Sequence, residues 1–296
     1  MNYRIVHTTH YRYESPATLS HNEARILPRN TARQRCDRAE LRVVPEPQDR
    51  AEHEDYFGNR VAYFAIETPH DALEVTAVSE VHVAPLGLEL AFGSDLSWEE
   101  ARAQLRHGLA APGLDARQYA VASPMVRPDA SLLAYAAESF TPGRPIVDAV
   151  QALNRRIYTE FEYQPGFSTV ATPLATILKH RAGVCQDFAH LAIACLRAHG
   201  LAARYVSGYI ETMPPEGQEK LTGADASHAW FSVYVPGLDW LDFDPTNDQW
   251  AADQHITLAV GRDYADVAPI TGVVNGVGVH SLEVSVDVTR LGVRPA

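Results

Sequence analysis

The sequence predicts an α+β protein, and three observations carry that reading: alternating strands at the N-terminus, one buried helix past the middle, and aromatic strands behind it. From Tyr3 to about Val83 apolar and polar residues alternate in YRIVHTTHYRY, NRVAYFAIE and ALEVTAVSEVHVA, the two-residue period of half-buried strands. The segment from Cys185 to His199 sets Phe188, Leu191, Ala192, Cys195 and Leu196 on one helical stripe, and Gly200 supplies its stop. ARYVSGYI, AWFSVYV and DWLDFD, rich in aromatic and β-branched side chains, then read as strands, as does SLEVSVDV near the C-terminus. A helix followed by strands that pair as antiparallel neighbours is the α+β pattern.

The remaining elements follow in order. DYFGN, from Asp55 to Asn59, carries turn-forming Gly and Asn between two strands and reads as a loop with no phosphate-binding role. Between Pro85 and Arg144, short helical pieces such as SWEEARAQLRH are broken by Pro and Gly in APGL, SPMVRP and TPGRP. Ile146, Val150, Leu153, Ile157 and Phe161 then recur three or four apart, as on one face of a longer helix. Thr172 and Pro173 open a short helix, PLATILKH, with proline at its first position. Three regions result: a β-rich domain over residues 1–84, a helical connecting region over 85–145, and a core over 146–296 that includes the C-terminal strands.

With 296 residues the chain can bury two cores, and its 46% hydrophobic and 21% charged residues are those of a packed soluble protein. A net charge of -12 argues against nucleic acid, whose phosphates call for a basic stripe, and against anionic lipid. No apolar stretch approaches a membrane span, and the polar start MNYRIVHTTHYRYESP lacks a secretory signal's apolar core, so a cytoplasmic location is expected. Three cysteines, Cys36, Cys185 and Cys195, are too few for a disulfide framework. Oligomeric state is not legible.

Cys185 opens the buried helix, where the positive end of the helix dipole favours a thiolate, and Gly183 leaves steric room just before it. First-turn N–H groups, that of Cys185 included, have no partner within the helix and suit an oxyanion. His228 begins the strand SHAWFSVYV, at a sheet edge from which an imidazole can reach a helix N-terminus and act as base and acid. Asp244 ends the strand DWLDFD just before Pro245, where a carboxylate can orient that imidazole.

These residues carry a resemblance. AGVCQDFAHLAIACLRAHGLAARYVSGYI and SHAWFSVYVPGLDWLDFDPTN resemble the transglutaminase-like core of bacterial proteins over roughly Thr172 to Asn247. HTTHYRY, ARILPRN, DYFGN and ETPHDALEVTAVSEV resemble the β-rich domain that precedes this core in the family, and GRDYADVAPITGVVNG its C-terminal segment. The resemblance implies a papain-like core with the nucleophile helix on an antiparallel sheet, Cys185 as nucleophile, His228 as general base, Asp244 as orienting acid, and no cofactor. It implies acyl-enzyme chemistry on carboxamides of a peptide or protein. Gln186 stands where animal transglutaminases carry Trp, which favours hydrolysis over cross-linking. The alternative is a binding or scaffolding protein that keeps the fold without turnover.

Competing assignments remain at several positions. Asp242 shares a strand face with Asp244, and the resemblance decides for the latter. Gln186 and Trp230 are candidates for oxyanion or substrate contact, with core packing the alternative for Trp230 and the preferred reading for Trp240. His190, His199 and Cys195 share a helix but lack metal-ligand spacing, and Cys36 and Cys195 read as structural. The loop from Glu211 to Ser227, rich in Pro and Gly, is expected to gate the cleft.

Overall fold

A computed structural model describes residues 1–87, 94–212, 227–276, 278 and 280–292. The N-terminal strands are β1 (Asn2–Ala17), β2 (Leu19–Ala24), β3 (Gln34–Val44), β4 (Asp49–Glu54), β5 (Arg60–Ile66) and β6 (His70–Val83). Short helices follow at α1 (Trp98–His107), α2 (Ala111–Ala116) and α3 (Ala130–Ala137). Then come α4 (Ile146–Glu160), β7 (Glu162–Tyr163), α5 (Leu174–His180), β8 (Ala182–Gly183) and α6 (Cys185–Ala198). The core strands are β9 (Ala203–Ile210), β10 (Ser227–Val235), β11 (Asp239–Asp244), β12 (Gln249–Trp250) and β13 (His255–Gly261). A single helical turn, α7 (Tyr264–Val267), leads to β14 (Ile270–Asn275) and β15 (His280–Leu291). Among the described residues no helix is long and apolar enough to cross a membrane.

Five antiparallel strands form the core sheet in the order β12-β11-β10-β9-β13. Alternation along β10 turns Ala229, Phe231, Val233 and Val235 into the core that α6 fills with Ala189, Leu191, Ala192, Ile193 and Leu196. Burying so many aliphatic side chains, at about 1.5 to 3 kcal/mol each, explains why this helix is apolar nearly all round. His228, Trp230 and Ser232 alternate to the other face of β10. Gly200, at φ +75°, ends α6 in the left-handed conformation that a residue with a Cβ resists. Pro173 caps α5 from outside, one position earlier than expected.

The N-terminal strands make two four-stranded sheets, β15-β1-β6-β3 and β14-β2-β5-β4, facing each other across Val43, Phe64, Ile66, Leu73 and Val75. Here the structure differs from the expected boundaries. β14 and β15 were assigned to the core over 146–296, yet β14 pairs with β2 and β15 pairs with β1 along its whole length. Alternation in SLEVSVDV marks a strand and says nothing about its partner, because pairing is set by which edge lies within reach. Val286 and Val288 from β15 join Tyr3, Ile5 and Val81 in the same hydrophobic core as α6.

Two side-chain amides lock this assembly to the core sheet. β13 is an edge strand, and its outer peptide groups need partners. Gln34 gives its Nε2–H to Thr257 O at 2.7 Å and takes the Thr257 N–H at 2.8 Å. Asn59 does the same with Val260, both bonds being 2.8 Å. Each amide imitates a strand residue. Asp55 fixes the second one, its carboxylate accepting from Phe57 N, Asn59 N and Asn59 Nδ2, so the DYFGN loop presents a docking residue to the core.

Candidate active site

Cys185 is the first residue of α6 and is half-buried. The turn before it is tight: a Cβ on Gly183 would lie 2.9 Å from Asp187 Cβ and 3.2 Å from Phe188 Cε1. Asp187 Oδ2 accepts the Val184 N–H at 2.9 Å and a hydrogen bond from Ser168 Oγ, and burial raises its pKa. The thiol is therefore held at a capped N-terminus, facing the dipole's positive end. Tyr163 stands beside it, 53% exposed; burial raises its phenol pKa and the charge of Cys185 adds to the shift.

His228 is buried at the start of β10, its ring hydrogen-bonded to Asp244 and within electrostatic reach of Cys185. His228 Nε2 lies 2.8 Å from Asp244 Oδ2, which leaves Nδ1 for the thiol. Burial opposes a charged ring, but the hydrogen bond to Asp244 and the negative charges of Asp244 and Cys185 outweigh it, and the His228 pKa is raised to about 10. Asp244, with no exposed surface, accepts from His228, His255, Thr246 N, Asn247 N and Asn247 Nδ2. Burial alone would raise the Asp244 pKa, and these donors hold it well below the carboxylate range. The turn after β11, Asp244 to Asn247, supplies three of them, so DPTN builds the acid's own hydrogen-bond cradle.

His255 was not anticipated. Its Nδ1 accepts the Ala252 N–H at 3.2 Å, so its proton sits on Nε2 and is donated to Asp244 Oδ2 at 3.1 Å. The usable signal was the strand-like run HITLAVG, which β13 proves to be, with its first residue opposite Ile210. His228, Asp244 and His255 offer three ligand atoms within 4.8 Å of one another. Gathering them on one ion would require His255 to move its proton to Nδ1 and give up the Ala252 bond.

The other sequence candidates separate clearly. Gln186, half-buried beside the thiol, has no hydrogen bond to its amide among the described residues. Trp230, a candidate substrate contact, is fully buried, its ring packing against those of His228 and His255 at 6.0 and 5.1 Å. It packs over Gly208 and reaches the wall of a cavity on the outer face of the sheet. Trp240 packs on Tyr119 and Tyr234 as expected. Asp242 accepts from Ser232 Oγ and does not join the His228 cluster. His190 Nε2 accepts the Tyr264 N–H, and His199 Nδ1 donates to Cys195 O, so both rings are used structurally. Cys195 is buried and Cys36 lies in β3. The expected gate, at residues 213–226, lies outside the described residues.

A half-buried thiol at a helix N-terminus, joined to a buried imidazole and carboxylate on neighbouring strands, places the protein in the transglutaminase-like superfamily, whose pattern matches residues 134–245. Residues 3–82 match the bacterial transglutaminase-like N-terminal region, and the chain belongs to this bacterial family. An uncharacterised protein of Mycobacterium tuberculosis is 44% identical over 294 residues, covering 97% of this chain and 92% of that one. A protein-glutamine gamma-glutamyltransferase of Pseudomonas aeruginosa is 32% identical over 105 residues, which are 32% of this chain and 16% of that one. The crystal structure of a "Putative Cysteine Protease from Cytophaga hutchinsonii" superposes with a TM-score of 0.78 at 22% identity, covering 100% of this chain and 92% of that one, and shares its fold.

Proposed function

We propose that this protein is a thiol enzyme that takes an acyl group from a peptide or glutamine carboxamide onto Cys185 and passes it chiefly to water. The observation that carries the reading is the hydrogen bond of His228 to the buried Asp244, with Cys185 at the N-terminus of α6 close enough to act on the same imidazole through its charge. A raised imidazole pKa keeps His228 protonated near neutral pH, and the thiolate is the form in which a cysteine attacks. Cys185 Sγ attacks the carboxamide carbon, and the oxyanion is met by the Cys185 N–H and the Gln186 amide. As the C–N bond breaks, His228 gives its proton to the leaving amine. His228, now neutral, takes a proton from water as it attacks the thioester, and Cys185 leaves as thiolate. Gln186 in place of the tryptophan of animal transglutaminases favours water over an amine as acceptor.

The test compares the parent with Cys185→Ala and His228→Ala on a library of internally quenched peptides, with intact-mass detection of a thioester-linked acyl adduct. Turnover and an adduct on Cys185 in the parent, both absent in Cys185→Ala, are the expected result. Turnover retained in Cys185→Ala would sink the assignment. Ligand binding with no adduct and no turnover in the parent would instead establish a scaffold.

A further inference from the structure

Behind the candidate triad lies a second polar constellation, between the outer face of the core sheet and the loop that joins β2 to β3. A cavity of about 430 Å³ is walled there by Arg29 and Arg33 from the loop and by Arg204, Trp240, Trp250 and His255 from the sheet. Two of the arginines are committed. Arg29 Nη1 donates to Phe57 O and Asn59 Oδ1, and Arg33 donates to Ala251 O and Ala84 O.

Arg204 is different. Its guanidinium carbon stands 4.2 Å from the centroid of the Trp240 ring, and its Nε, like those of Arg29 and Arg33, is buried without a hydrogen bond. Among the described residues it has neither a hydrogen-bond nor an ion-pair partner, and Asp242 and Asp239 act on it through charge alone. Asp242 is already engaged by the Ser232 hydroxyl. A guanidinium cannot relieve its burial by losing a proton, and lying over an aromatic ring leaves its N–H fork free for a planar acceptor. The charged groups of the wall are three arginines and two aspartates, a net of one positive charge with His255 neutral. That balance suits a monoanion, whereas a doubly charged phosphate would meet two carboxylates.

We propose that this cavity binds a small organic monocarboxylate, its carboxylate on Arg204 and its apolar body against Trp240 and Trp250. The wall includes His255, the donor to Asp244, so the ligand would sit one residue away from the triad's carboxylate.

Isothermal titration of the full chain with benzoate, its neutral counterpart benzamide, and inorganic phosphate tests this. Saturable one-to-one binding of benzoate is expected, with benzamide and phosphate weaker by about tenfold or more, since only the carboxylate forms the charge-assisted fork. Arg204→Met should lose the binding, and Arg204→Lys, which keeps the charge without the fork, should fall between. Equal benzoate binding in parent and Arg204→Met, equal binding of benzoate and benzamide, tighter phosphate, or no saturable heat with benzoate would each overturn the proposal. The benzoate and benzamide comparison in the parent decides it even if the Met variant does not fold.

Discussion

His255 Nε2 lies 3.1 Å from Asp244 Oδ2, the same oxygen that His228 Nε2 reaches at 2.8 Å, so two imidazoles donate to one carboxylate atom. The second ring has a fixed tautomer and carries no free lone pair toward the thiol. Its effect is to hold Asp244 in place and keep it ionised, and Asp244 in turn holds His228.

His255→Leu should therefore slow turnover without removing it. A hydrogen bond to a charged group is worth about 1.5 to 3 kcal/mol, and four other donors remain, so a loss of about tenfold in kcat with little change in KM is expected. His255→Gln, which can still donate, should recover most of it. A KM effect alone would show that His255 acts on substrate.

Asp244→Asn tests the carboxylate itself. An amide cannot accept from five donors with equal strength, and it offers His228 an N–H where a lone pair is required. Loss of kcat on the order of 10² to 10⁴ is expected, as when a triad's acid is replaced and the imidazole adopts the wrong tautomer. Iodoacetamide labelling of Cys185 at neutral pH should slow in parallel. Labelling that is unchanged would separate Asp244 from the activation of the thiol.

Cys185, His228 and Asp244 could be singled out as candidates because each sits at an element boundary that the sequence marks: a glycine before a helix, a strand start, and a strand end before proline. The structure joins His228 to Asp244 at 2.8 Å and sets Cys185 at the head of α6. His255 escaped because a histidine heading an apolar run has no spacing rule to tie it to a carboxylate 11 residues earlier. Trp230 was ambiguous because strand alternation shows which residues share a face and not what covers that face. The partners of β14 and β15 were hidden for a related reason: their pairing with β2 and β1 joins residues more than two hundred positions apart. Asn59 was read only as a turn residue, since nothing local shows that its amide meets Val260.

That docking amide gives a prediction about stability. Asn59→Ala strips partners from the buried N–H and C=O of Val260 and from Arg29 Nη1. Leaving such groups unsatisfied costs about 1 to 3 kcal/mol apiece, so a loss of roughly 2 to 5 kcal/mol in urea unfolding is expected after partial relaxation. Gln34→Ala should act in the same direction at Thr257. Unfolding that stays within about 0.5 kcal/mol of the parent, the range of an ordinary surface change, would refute the edge-sealing role.

Stability should fall on both sides of neutral pH, for different histidines. Burial lowers the pKa of His7 and of His190 to about 4, so below 6.5 the unfolded chain takes up protons that the folded chain refuses. Their contribution is whole above 6.5 and is lost as pH falls towards 4, by up to about 3 kcal/mol each. Asp187, raised by burial, works in the opposite sense, and the depressed Asp244 acts only below the usual carboxylate range. His228, raised to about 10, stabilises fully below 6.5 and loses that contribution as pH rises towards 10. Urea midpoints across pH 4 to 10 should form a dome, with a flatter acid limb in His7→Gln and a flatter alkaline limb in His228→Gln.

Gly208 sits opposite His228 in the sheet and beneath the ring of Trp230. A Cβ there would meet Ile256 O at 2.2 Å and Trp230 Cη2 at 2.4 Å. The carbonyl belongs to β13 and cannot move without opening the sheet, so the ring must yield as well, and it packs against two imidazoles. Gly208→Ala should thus cost about 1 to 3 kcal/mol as an overpacked core does, and it should also disturb the candidate triad, because Trp230 packs against both His228 and His255. Lower thermal stability, an altered near-ultraviolet tryptophan signal and slower alkylation of Cys185 are expected together. A fall in stability with alkylation unchanged would show that Trp230 packs beside the triad without positioning it.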